Sequence, residues 1–281
     1  MAEVVSKATK FWSSGNRCSG NGLRCPANVR VNNFPMRLFC LAFPMLFVGH
    51  LLSGYGAAQQ PPPASAVTLE TVYKSMDAAA AKFNTTQANF EWDRYEKVID
   101  EVDDIQSGTI YYRRVGKDIE MKADVKMAGP ELKKLKPELK FVLFSQGKIQ
   151  MYLPKPDQVT VYDVGKNRSE VEPYLVLGFG GSGQDLAKSF DVTYQGQETI
   201  DGIPAGKLQL IPKSERVRNT FAQILLWIDL DRGISVQQQF FEPDGNYKLA
   251  KYSSIRVNEK VPDEVFHLKT TGKTQILSPR G

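Results

Sequence analysis

The chain is poor in the side chains that most often carry redox and metal chemistry. It has three cysteines and two histidines in 281 residues, and Cys18, Cys25, Cys40 and His50 all fall before position 58. Beyond that point stand one histidine, His267, and no cysteine. This argues against a cysteine nucleophile, a thiolate metal site or a multi-histidine zinc site in the main body, and no cofactor is expected. A one-sided charge is also missing. The formal net charge of +5 resides in the first 58 residues, where Lys7, Lys10, Arg17, Arg24, Arg30 and Arg37 face only Glu3. The rest is balanced, so a nucleic-acid partner is not indicated. What is present is apolar material. With 42% hydrophobic and 10% aromatic residues, the composition excludes disorder, collagen-like repetition and a disulfide-dense miniprotein.

No apolar run is long enough for a spanning helix, which needs about 20 residues. Leu38 to Leu52 comes nearest, but Pro44 and His50 interrupt it. It follows Arg37 and precedes the small residues Ser53 to Ala58, the tripartite pattern of a secretory signal. Residues 1–58 are therefore expected to be a signal region cleaved near Ala58, with Ala64-Ser65-Ala66 as the alternative site. Met36 gives a more compact charged start than Met1. No lipid-attachment box precedes the mature chain, so an exported, unanchored product is expected. Residues 59–66, with Pro61-Pro62-Pro63, read as an extended linker.

The domain spans residues 67–277. Leu69, Val72, Tyr73, Met76, Ala80 and Phe83 recur at helical spacing behind Thr68, a capping residue. From Thr86 the period becomes two. Phe90 and Trp92 alternate with Glu91 and Asp93, and Ile119, Met121, Ala123 and Val125 alternate with charged residues. Further strands are expected at Lys140–Phe144, Ile149–Leu153 and Val159–Val164, separated by hairpin chemistry. A helical interruption follows from about Ser169 to Lys188, and strands resume at Phe190. The count is about eleven strands in one sequence-continuous antiparallel meander. The fold class is mainly β with helices (α+β), a curved sheet with helices against its concave side.

Several motifs invite chemistry that their context does not support. Gly178-x-Gly180-x-x-Gly183 matches a dinucleotide fingerprint, yet what precedes it reads as helix, where the motif needs a parallel strand, so it is taken as a hinge or lid edge. Asp100, Glu101, Asp103 and Asp104 lack the alternating acids and central glycine of a calcium loop and read as a solvated hairpin connection. No Gly-x-Ser-x-Gly elbow is present, and His267 has no identifiable nucleophile. The basic stretches Glu131–Lys140 and Lys213–Arg218 suit solvated loops with transient contact to a membrane surface or an acidic partner.

The inward-facing set is rich in large residues: Phe90, Trp92, Ile110, Tyr112, Met121, Phe141, Met151, Leu226 and Ile228, joined by Leu175 from the helical segment. As a group they suit an apolar trough closed by helices, able to hold a hydrophobic ligand.

Gly108-Thr-Ile-Tyr-Tyr-Arg-Arg, Phe144-Ser-Gln-Gly-Lys-Ile-Gln-Met-Tyr, Leu226-Trp-Ile-Asp-Leu-Asp-Arg-Gly and Asp263-Glu-Val-Phe-His-Leu resemble the LolA family of periplasmic outer-membrane lipoprotein carriers. The resemblance covers about residues 67 to 277. It implies an incomplete antiparallel β-barrel of about eleven strands with a helical lid over an apolar cavity, and a non-enzymatic monomer in the periplasm. Its cargo would be acylated lipoproteins or lipids, received from an inner-membrane ABC-type releasing complex and passed to an outer-membrane acceptor. It also implies that Arg114, or Arg113 if the register shifts by one, bonds to lid backbone and holds the cavity shut. Three departures stand out: Val115 replaces the proline usual after that arginine, Thr270-Thr-Gly272 replaces a proline-glycine, and Lys126 to Lys140 is long. A lipid-sensing module on the same fold and an envelope hydrolase are the alternatives.

Overall fold

The computed structural model describes residues 67–165 and 168–278. The expected signal region, its cleavage near Ala58, the start at Met36 and the 59–66 linker lie outside the described residues. Helix α1, Leu69–Lys82, opens the fold where the three-and-four spacing places it. Thr68 caps it by accepting from the Thr71 amide at 3.3 Å, and its apolar stripe buries Val72 and Met76.

Six strands follow: β1 (Thr85–Glu96), β2 (Glu101–Val115), β3 (Asp118–Gly129), β4 (Lys136–Ser145), β5 (Lys148–Leu153) and β6 (Gln158–Asp163). Two helices interrupt them, α2 (Arg168–Leu175) and α3 (Gly183–Ser189). Strands then resume with β7 (Phe190–Ile200), β8 (Ile203–Pro212), β9 (Gln223–Asp229), β10 (Ser235–Phe241), β11 (Tyr247–Val257) and β12 (Gln275–Leu277), with the short helix α4 (Glu215–Arg218) between β8 and β9. The described residues thus form an α+β fold with one open sheet of twelve strands.

The expected count of about eleven strands holds, with a short twelfth, β12, that pairs parallel with β6, tied there by Thr271 and Thr274 hydroxyls donating to Asp157 at 2.6 Å each. One expectation needs correction: the chain is not one continuous meander. The sheet order β12-β6-β5-β4-β3-β2-β1-β11-β10-β9-β8-β7 shows two meanders joined where β1 meets β11. After β6 the chain leaves one edge and, by way of α2 and α3, restarts at the opposite edge. The helical segment is the crossover.

Period-two alternation turns one face inward. Ala88, Phe90, Ile110, Tyr112, Met121, Ala123, Val142, Phe144, Leu208, Leu226, Ile228, Ala250 and Tyr252 belong to one buried cluster, which also takes in Val72 and Met76 of α1 and Leu177 and Phe179 from the loop between α2 and α3. Burial of this face on helices is the main apolar gain of the fold, at about 25 cal/mol per Å². The strand register fixes two ends. At one, α1 meets the turn after β9, where Ser75 Oγ donates to the Leu230 carbonyl at 2.7 Å. At the other lie the β1–β2 turn, the β3–β4 connection and the β10–β11 turn.

Candidate functional site

On the inner face of the sheet a partly open void of about 100 Å³ is bordered by Trp92, Ile110, Tyr112 and Met121 from the strands, by Tyr174 and Leu175 of α2, and by Phe221 from the connection between α4 and β9. Gln238, Phe240, Ala250 and Tyr252 continue the wall, which also takes in Asp93, Arg94, Asp104, Lys248 and Leu249. Alternation on β1, β2, β10 and β11 aims these side chains the same way. Burial pushes the Tyr112 and Tyr252 hydroxyls well above the usual phenol range, so both stay neutral.

The expected lining residues divide into three groups. Trp92, Ile110, Tyr112, Met121 and Leu175 border the void. Phe90 stacks on Trp92 with ring centroids 4.0 Å apart, while Met151, Leu226 and Ile228 are packed in the cluster behind. Phe141 lies on the other face of the sheet. It pairs across strands with Asp124 and Tyr152, and the Lys122 ammonium sits 5.3 Å from its ring. Phe141 to Phe144 is apolar at all four positions, so alternation could not say which pair faces inward.

The loop between α2 and α3 packs beside the void, on two of the rings that border it, Tyr112 and Tyr252. Its centre is Phe179, fully buried, with its ring stacked on Tyr112 at 4.5 Å and set edge-on to Tyr252 at 4.9 Å. Gly178 and Gly180 flank it at φ +73° and +83°, a region that side chains disfavour. A Cβ on Gly180 would stand 2.6 Å from the Phe83 ring, and one on Gly178 would stand 2.5 Å from the Ser235 Cβ. The glycine pattern is therefore explained by a tight loop that drives one aromatic ring inward, with no parallel strand leading into it.

Four side chains or amides hold that loop. Arg114 Nη2 donates to the Gly180 carbonyl at 3.0 Å and its Nε to the Phe83 carbonyl at 3.2 Å, so one guanidinium joins the loop to the end of α1. Gln238 Nε2 donates to the Leu177 carbonyl at 2.6 Å, and Gln238 Oε1 accepts from the Tyr252 hydroxyl at 3.2 Å. The Ser235 amide donates to the Gly178 carbonyl at 2.9 Å, and the Gly183 amide donates to Asp77 at 2.8 Å. Arg113 points elsewhere, to Glu120 and Asp263, with its guanidinium 4.2 Å from the centre of the Phe266 ring. A larger hollow of about 680 Å³, bordered by Arg114, Lys117 and Asp185, lies between α1 and the outer side of the loop.

Toward the turn end the inner face changes character. Arg94, Asp104, Gln106, Lys140 and Lys248 continue the inward parity of β1, β2, β4 and β11, and Arg94, Asp104 and Lys248 border the void. Lys140 is 3% exposed and donates to Gln106 at 2.7 Å; burial pulls its ammonium down to about 8, against the Asp104 carboxylate. Two expectations fail here. The acidic run is not wholly solvated, since Asp104 turns inward, and Lys140 of the basic stretch is buried. Counting two residues on from Trp92 would have reached Arg94.

Among the described residues no cluster of three or more His, Cys, Asp or Glu is suited to a metal ion. His267 is exposed, its Nδ1 3.0 Å from the Asp263 carbonyl. Among the described residues no helix is long and apolar enough to cross a membrane.

No protein-family model matches the chain, and no curated protein matches it in sequence. Solved structures with some similarity include an uncharacterized conserved protein from Thermus thermophilus, at TM-score 0.45 and 10% identity over 75% of this chain and 98% of that one. A second is the Pseudomonas aeruginosa MucA/MucB complex, at TM-score 0.42 and 14% identity over 71% of this chain; here the chain spans 60% of the relative's length. A third is a LolA superfamily protein from Nitrosomonas europaea, at TM-score 0.36 and 12% identity over 72% of this chain and 99% of that one.

Proposed function

We propose that this chain is a periplasmic carrier that shields the acyl chains of lipoproteins or lipids inside its sheet and passes them between membranes without chemistry of its own. The observation that carries the reading is Phe179: a buried aromatic ring on a glycine-flanked loop, packed on two tyrosines that border the void, with the loop held by a guanidinium on backbone carbonyls. A void of about 100 Å³ is smaller than the ~150 Å³ cavity that holds benzene, and well below the ~300–1,000 Å³ of small-molecule sites. An acyl chain needs more room than this, and the loop supplies it by swinging out so that Phe179 yields its place beside Tyr112 and Tyr252. Phe179 acts as a stand-in for cargo, and Arg114 as the latch that sets how readily it leaves.

A carrier of this kind answers a large barrier. Each methylene in water costs about 0.8 kcal/mol, so a sixteen-carbon chain costs on the order of 12 kcal/mol to cross the aqueous space unshielded. Transfer then follows relative affinity. By the resemblance in sequence, an inner-membrane ABC-type complex would load the carrier and an outer-membrane acceptor would unload it. Brief contact with the membrane surface fits the turn end, where Val98 and Ile99 are 89% and 53% exposed and Leu132 and Leu139 lie beside Lys133, Lys134 and Lys136.

The test is to purify the protein from native envelopes, extract it and identify acylated molecules, then titrate the protein with a fluorescent fatty-acid probe. Stoichiometric acyl material, or saturable probe binding, is expected. Protein that yields no acyl material and also fails to bind the probe overturns the reading.

A further inference from the structure

The charged band at the turn end has no part in closing the lid. On β1 the inward positions run Ala88, Phe90, Trp92, Arg94, and on β11 they run Tyr252, Ala250, Lys248. Arg94 lies directly across from Lys248 on one side and from Asp104 on the other. Two cations side by side on neighbouring strands repel, and such pairs destabilise a sheet. Both also border the same void, next to the Trp92 indole. The repulsion is felt: burial lowers the Lys248 ammonium, Glu242 opposes this, and Arg94 lowers it further.

Each cation has a carboxylate at hand. Arg94 Nε and Nη2 donate to Asp103 at 2.7 and 2.6 Å, and Lys248 Nζ lies 2.8 Å from Glu242. Those two carboxylates are each 26% exposed. They can return to water when another anion takes their place, whereas the cations, at 27% and 17% exposed, stay on the cavity wall. Asp104 is held apart from the exchange by Gln106, which donates to it at 2.6 Å.

Building on the carrier reading, we infer that Arg94 and Lys248 form a subsite for the anionic head of an amphiphile, a carboxylate or phosphate, whose tail enters among Trp92, Ile110 and Tyr112. The apolar wall selects a chain and the paired cations select its charge. A ligand of this class is held with its head toward the turn end and its tail toward the Phe179 loop.

The experiment uses three sixteen-carbon probes that differ only in the head: hexadecanoate, monohexadecyl phosphate and 1-hexadecanol, each competed against a fluorescent fatty acid on the purified protein. Both anions are expected to bind about ten- to a hundredfold more tightly than the alcohol, the worth of hydrogen bonds to charged groups. Arg94→Gln and Lys248→Gln are expected to bring that ratio close to one, Lys248→Arg to keep it, and Lys251→Gln, on the outer face, to leave it unaltered. Equal affinity for all three probes overturns the head subsite and leaves the carrier reading in place. Failure of every probe to bind overturns the carrier reading itself. Inorganic phosphate displacing monohexadecyl phosphate at matching concentration would assign the cations to a free anion and overturn the amphiphile.

Discussion

Replacing Phe179 by alanine removes the ring that the closed loop sets between Tyr112 and Tyr252. Burying a phenyl ring is worth about 1.5–3 kcal/mol, and its aromatic pairing a further ~0.5–1.5 kcal/mol. Together these favour the closed loop by about 2–4.5 kcal/mol. A ligand that must expel the ring binds more weakly by the fraction of molecules in which the loop is open. Without the ring that handicap shrinks, so Phe179→Ala is expected to bind a fluorescent fatty acid at least about tenfold more tightly, since each ~1.4 kcal/mol is a factor of ten. The same change lowers stability, because cutting a buried phenylalanine to alanine typically costs about 3–5 kcal/mol. The two effects have opposite signs, which makes the assay decisive. Probe titration is run beside circular dichroism and thermal melting, with Phe179→Leu as the intermediate case. A folded Phe179→Ala protein with unchanged or weaker probe affinity would refute the reasoning and leave Phe179 an ordinary core residue.

Arg114→Leu removes the donors to the Gly180 and Phe83 carbonyls. Charge-assisted hydrogen bonds are worth about 1.5–3 kcal/mol, so exchange of the Phe179 amide, bonded to the Val176 carbonyl at 2.9 Å, should accelerate about tenfold or more and delivery to acceptor vesicles should slow. Wild-type exchange and delivery would reject the latch, and Arg114→Lys is expected not to rescue it because one ammonium cannot span both carbonyls. Lys140 titrates at about 8 in the fold because it is buried, against about 10.4 unfolded. Between those values the unfolded chain holds more protons, so Lys140 makes stability rise with pH there; its penalty is full below about pH 8 and gone above about pH 10.5. Denaturant titration should show wild type gaining on Lys140→Met across that window, by on the order of 3 kcal/mol, and parallel pH curves would contradict it. Val98→Asp combined with Ile99→Asp places charge on the exposed β1–β2 turn and should slow cargo transfer to vesicles severalfold while probe affinity in solution holds. An unchanged transfer rate would remove that turn from membrane contact.

Much of this architecture was legible because alternation is a local property. Period two at the start of β1 and the helical spacing of Leu69 to Phe83 each follow from one face meeting the core, and the structure keeps them; on β3 the apolar positions face the core as expected, but Glu120 and Lys122 between them are buried too. What alternation cannot express is which strands become neighbours. That β11 pairs with β1, and that the chain crosses from β6 to the far edge before β7, depends on contacts between distant segments. Phe141 was ambiguous for a different reason, a four-residue apolar run with no polar position to mark the outer face.

The site was less visible than the fold. The glycines around Phe179 stood out and their context already pointed to a hinge or lid edge and away from a dinucleotide site, yet only the positive φ values and the nearness of Phe83 explain why each must be glycine. Gln238 carried no sequence signal at all, since a glutamine on a strand reads as solvated until its amide is seen on the Leu177 carbonyl. Arg94 and Lys248 were readable in principle, because each falls on the inward parity of its strand, where a charge breaks the pattern. Inward charges are expensive unless they are partnered, and so are a signal to follow.

The account rests on the loop around Phe179 moving aside so that an acyl chain takes its place. Hydrogen exchange of residues 177 to 183, followed with and without saturating hexadecanoate, tests this most directly. With the ligand bound, the amides of Phe179 and its neighbours are expected to lose protection while those of β2 and β11 keep theirs. Saturable binding that leaves the loop as protected as before would contradict the account.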